Sequence, residues 1–60
     1  MLPYAVVSYE YDPEFDIRTQ YRRYFKILPN ANAYLLFQRL RGYDAWVFKT
    51  DSEEFEAIKE

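Results

Sequence analysis

Residues 3–11, Pro-Tyr-Ala-Val-Val-Ser-Tyr-Glu-Tyr, are rich in β-branched and aromatic side chains and contain no interior breaker, which predicts a strand. The period changes at Asp12-Pro13-Glu14. Asp is a good N-cap, Pro suits the first helical position, and an acid in the first turn suits the positive end of the helix dipole. Beyond it Ile17, Tyr21, Tyr24, Phe25 and Leu28 recur at helical spacing, with Arg22, Arg23 and Lys26 toward the negative end, until Pro29 stops the pattern. A strand reading competes over residues 17–27, with Thr19, Tyr21, Arg23, Phe25 and Ile27 on one side. It sets Arg23 among apolar residues and leaves the Asp-Pro start unexplained, so a helix is the expectation.

Asn30-Ala31-Asn32-Ala33 reads as a loop. Tyr34–Leu40 and Ala45–Lys49 then predict two strands joined around Arg41-Gly42-Tyr43-Asp44, where Gly42, the single glycine, accepts the positive φ of a tight hairpin turn. Depending on register, Arg41 or Arg39 faces Asp44 across the hairpin. Thr50-Asp51-Ser52-Glu53-Glu54 supplies N-cap candidates followed by acids, and Phe55 and Ile58 give a short second helix one apolar edge.

The predicted order is β-α-β-β-α. A right-handed crossover between parallel strands would put both helices on one face, giving an α+β fold, a two-layer sandwich with a three-stranded mixed sheet. The second face of that sheet has nothing to cover it. Alternation in the hairpin sets Leu36, Gln38, Leu40, Ala45 and Val47 on one side and Leu35, Phe37, Arg39, Trp46 and Phe48 on the other. Either the aliphatic set seats the helices and the aromatic set lies open, or the assignment is reversed; an apolar face is left over both ways, and such a patch marks an interaction site.

Composition narrows the picture further. Residues 1–60 predict one compact domain, half apolar and 30% charged, with seven Tyr, five Phe and one Trp. So small a core is marginal without a staple, and the chain has no Cys for a disulfide and no Cys or His for a zinc site, which leaves oligomerisation, a homodimer above all. Neither a signal-peptide pattern nor a membrane-length apolar segment is read, so the expected location is cytoplasmic with no membrane partner. Charge falls in blocks. Glu10, Asp12, Glu14 and Asp16 stand without a base, then seven Lys or Arg face only Asp44 over residues 18–49, then Asp51, Glu53, Glu54, Glu56 and Glu60 face only Lys59.

Catalytic chemistry finds little footing. Without His or Cys, and with Ser8 and Ser52 as the only serines, the familiar nucleophile–base pairs cannot be assembled, and one glycine is too few for a phosphate loop. Asp12-x-Glu14-x-Asp16 has the opening spacing of a calcium loop, but Ile17 stands where Gly is needed and Arg23 where Glu is needed. No enzyme activity, metal or cofactor is expected. The expected function is a small protein-binding module, a regulator or inhibitor, acting through Phe37, Arg39, Tyr43, Trp46 and Phe48, since Trp and Arg dominate interface hot spots. The alternative is single-stranded nucleic-acid binding, with Arg22, Arg23, Lys26 and Arg41 tracking phosphates beside rings that stack bases.

Overall fold

In the computed structural model, which describes residues 2–58, the elements run β1 (Tyr4–Asp12), β2 (Ile17–Phe25), α1 (Leu28–Leu40), β3 (Asp44–Lys49) and α2 (Glu53–Glu56). Three strands in one open sheet with two helices make an α+β protein, as the composition of the segments predicts. The order of elements differs from the expected one. Residues 17–25 are a strand rather than a helix, and residues 34–40 belong to a helix rather than a strand.

β1 is the middle strand, in the order β2-β1-β3, and both of its pairings are antiparallel, so the sheet is not mixed. A central strand is covered on both sides, and Ala5, Val6, Val7 and Ser8 are accordingly all buried. Directly opposed residues share a side of the sheet. Val6 therefore lies with Arg23 and Val47, and Val7 with Arg22 and Trp46.

The segment Asp12–Asp16 turns β1 back into β2. Asp12 Oδ1 accepts the Glu14 amide at 3.0 Å, an Asx turn, and Asp16 takes a positive φ of 53° while its Oδ1 accepts the Tyr11 hydroxyl at 2.7 Å. These carboxylates shape a hairpin instead of capping a helix. Among the described residues no group of three or more Asp or Glu is placed to hold a metal ion.

Pro29 starts α1 rather than stopping a helix before it, because a first-turn Pro gives up only an amide that has no intrahelical acceptor. Ala31, Tyr34, Leu35 and Gln38 recur at helical spacing and turn toward the sheet, where Ala31 joins Val6 and Ala45 in the core. Tyr4, Phe25, Tyr34, Leu35 and Val47 pack around these three. Small residues at the centre let the helix approach closely, and the rings fill the perimeter.

Gly42 does adopt positive φ, 90°, but it ends α1 in place of turning a hairpin: its amide donates to the Arg39 carbonyl at 3.0 Å and Tyr43 to that of Gln38 at 3.0 Å. The expected cross-strand pairing of Asp44 with Arg39 or Arg41 is replaced by a 3.9 Å ion pair with Arg18. Ser52 caps α2, its Oγ accepting the Phe55 amide at 3.2 Å. Phe55 then meets Tyr24 and Phe48, which share the Ala5 and Val7 side. The helices thus meet the sheet from opposite sides, which corrects the placement of both on one face. The sequence blocks that include Lys59 and Glu60 lie partly outside the described residues.

Candidate functional site

Two surfaces carry the side chains singled out in the sequence, and they lie on opposite sides of the sheet. The first is the sheet face away from α1. Here Tyr9 and Trp46 meet edge-on with centroids 6.1 Å apart, and the Arg18 guanidinium lies 4.5 Å from the Tyr9 ring while also pairing with Asp44. Beside them Arg22 donates through Nε to Gln20 Oε1 at 2.6 Å and through Nη2 to the Ile58 carbonyl at 3.1 Å, with its guanidinium 5.0 Å from the Phe55 ring. Gln20 Nε2 donates to the Tyr9 hydroxyl at 3.1 Å.

Trp46 and Phe48 thus share the side away from α1, while Ala45 and Val47 seat it. Trp46 is 44% exposed, whereas Phe48 is half-buried beneath Phe55. The face is a ring-and-arginine mosaic whose polar tips already engage one another.

The second surface is α1 and its exit. A helical turn that directs Ala31, Tyr34, Leu35 and Gln38 inward directs Ala33, Leu36, Phe37 and Leu40 outward, and Leu36, Phe37 and Leu40 are 60%, 53% and 87% exposed. Phe37 and Arg39, expected beside Trp46, stand on this element instead. Arg39 donates through Nε and Nη2 to the Ala45 carbonyl at 3.1 and 2.8 Å, a link from helix to β3. Strand alternation groups Leu36 and Leu40 with Gln38, Ala45 and Val47 on one face, whichever face the helices cover. The spacing of four between Leu36 and Leu40, with Ala33 and Phe37 between turns, is the signal that would have marked an outward stripe once the segment was read as helix.

At the C-terminal end of α1 a polar chain runs from the surface to the core. Glu10 accepts the Tyr21 hydroxyl on Oε1 at 2.9 Å and the Tyr43 hydroxyl on Oε2 at 3.1 Å, and the two rings stack with centroids 6.1 Å apart. Arg41 donates to the Tyr43 hydroxyl at 3.4 Å and to Gln38 Oε1 at 3.3 Å, and its guanidinium lies 5.4 Å from the Phe37 ring. The hydrogen bond to Glu10 raises the Tyr21 pKa above the ordinary tyrosine value, as the bond to Asp16 does for Tyr11.

The basic residues proposed to track phosphates are dispersed. Arg22 lies on the Trp46 side, Arg23 on the α1 side with its guanidinium 5.0 Å from the Tyr34 ring, Lys26 in the β2–α1 connection and Arg41 beyond α1. Among the described residues no helix is long and apolar enough to cross a membrane. No protein-family model matches the chain, and neither a curated protein nor a solved structure is significantly similar to it.

Proposed function

We propose that the chain is a small non-enzymatic protein-binding module that works as a homodimer and regulates or inhibits a partner by occupying its surface. The observation that supports it is the outward stripe Ala33, Leu36, Phe37 and Leu40 on α1, which holds large apolar side chains in water at the spacing used by helices that dock into apolar grooves. The Tyr9–Trp46 face offers a second contact surface, with Trp and Arg in the roles of anchors. A catalytic reading has less to draw on, since His and Cys are missing from the sequence.

Affinity capture with the intact chain and with Leu36→Glu/Leu40→Glu tests the reading. A protein held by the intact chain, released by that variant and bound again after purification supports it. Capture that the variant leaves unchanged overturns the role of α1, and the same comparison with Trp46→Ala then examines the sheet face.

Single-stranded nucleic-acid binding draws its support from Arg18 over Tyr9 beside Trp46. It has less behind it than protein binding, because Arg22 and Arg23 lie on opposite sides and cannot track one strand together. It calls for oligonucleotide binding that falls steeply with salt and weakens in Arg18→Ala and in Trp46→Ala. Failure to bind at low salt removes it.

A further inference from the structure

The order β2-β1-β3 makes β2 and β3 the two edge strands among the described residues. They are finished differently. β3 has six residues, and its Ala45 carbonyl is tied to Arg39. β2 has nine, pairs with β1 in unbroken register, and contains neither Pro nor Gly. α1 packs more on β3 and β1 than on β2, and six of the nine β2 residues are exposed. A long, regular edge of this kind is a template for another strand.

The side chains of β2 decide which strand fits. Arg18, Arg22 and Arg23 stand in it with no acid, so a second β2 would ordinarily be repelled. A two-fold axis perpendicular to the sheet keeps each residue on its own side, so an antiparallel self-pairing must be centred on a residue. Centring on Gln20 sets Arg18 opposite Arg22, and centring on Arg18, Arg22 or Arg23 sets that arginine opposite itself. Centring on Ile17, Thr19, Tyr24 or Phe25 uses only a fraction of the strand.

Centring on Tyr21 uses all of it. Ile17 then faces Phe25, Arg18 faces Tyr24, Thr19 faces Arg23, Gln20 faces Arg22, and Tyr21 faces its own copy. Arginines meet only on the diagonal, roughly 7–8 Å apart, and Arg18 gains an aromatic neighbour. The arginines thus select one register rather than forbidding them all.

We infer that β2 pairs antiparallel with β2 of a second copy, centred on Tyr21, to make a continuous six-stranded sheet in the order β3-β1-β2-β2-β1-β3. The pairing is isologous and closes on itself. It supplies the interface for the self-association proposed above and does not depend on what α1 binds.

Sedimentation velocity of the intact chain at micromolar concentrations is expected to show a species of twice the 7.4 kDa monomer mass. Tyr21→Arg keeps a partner in Glu10 while placing like charges on the axis, so the dimer is lost with the circular dichroism spectrum unchanged. The sequence has no Cys, which makes oxidative cross-linking a register test. Opposed residues lie about 4.5–5.5 Å apart between Cα atoms, within disulfide range. Tyr21→Cys is expected to cross-link to itself, and Thr19→Cys only when mixed with Arg23→Cys. A monomer at every concentration, or Thr19→Cys cross-linking to itself as readily as Tyr21→Cys, overturns the inference. So does a dimer that survives Tyr21→Arg and is lost in Leu36→Glu/Leu40→Glu. A dimer that passes all these tests while no protein partner binds α1 overturns only the partner reading.

Discussion

The side-chain amide of Gln38 donates through Nε2 to the Ser8 hydroxyl at 3.1 Å, joining α1 to the middle strand through two buried polar groups. Each satisfies the other in a place water does not reach, and Arg41 supplies the Gln38 carbonyl oxygen with a donor. Losing one partner exposes the other to the full penalty of an unmade bond. Ser8→Ala and Gln38→Leu are each expected to cost about 1–3 kcal/mol in urea unfolding, and the double variant less than their sum.

Ala31 and Ala33 sit two residues apart on α1, one fully buried against Val6 and Ala45 and the other on the outward stripe. Ala31→Leu forces three methylene-sized groups between helix and sheet and is expected to cost about 1–3 kcal/mol. Ala33→Leu is expected to change stability by no more than about 0.5 kcal/mol. Equal effects from the two would mean that the helix does not present these faces.

Gly42 holds φ at 90°, and a Cβ placed on it meets nothing within 4 Å among the described residues. Any cost of Gly42→Ala is therefore a backbone cost, expected to be about 1–2 kcal/mol in thermal or urea unfolding. Gly42→Asn is expected to lose less, since Asn tolerates the left-handed region.

The Tyr11 and Tyr21 phenols donate to Asp16 and Glu10, and both pKa values are raised, chiefly by those hydrogen bonds. A raised native pKa means that folding favours the protonated phenol. The contribution is complete below the unfolded tyrosine value near 10 and is lost as pH rises through the raised native values. In a titration followed by NMR at the individual tyrosine rings, Asp16→Asn is expected to lower the Tyr11 midpoint and Glu10→Gln that of Tyr21.

The parts of the fold legible in the sequence are those set by local chemistry. β1 reads from its composition, α2 from Ser52, and the need for positive φ from Gly42. The sides of β3 follow from alternation, which correctly separates Ala45 and Val47 from Trp46 and Phe48. The errors come from signals with two meanings. Asp12-Pro13 starts helices and also turns hairpins, and Pro29 both follows helices and opens them. Arg23 is one of the two signals against a strand over residues 17–27, the Asp-Pro start being the other, yet its guanidinium lies against the Phe25 and Tyr34 rings, where a cation is well placed beside apolar residues. That contact joins β2 to α1 and is invisible to any pattern within one segment. The candidate site suffered from the same error, because Phe37 and Trp46 fall on one face only if residues 34–40 are a strand.

The position of β1 in the middle of the sheet also sets an order of events during folding. Its pairing with β2 is local, but its other margin waits for β3, which follows in the chain only after the turn, β2 and α1. The β1–β2 hairpin closes over a short turn, whereas β1–β3 pairing must close a loop of roughly thirty residues, so the second pairing carries the larger loop-closure cost and is expected to form later. Until β3 docks, Ala5–Ser8 lie on a strand with a bare margin, so the folding chain is most open to mispairing in that interval.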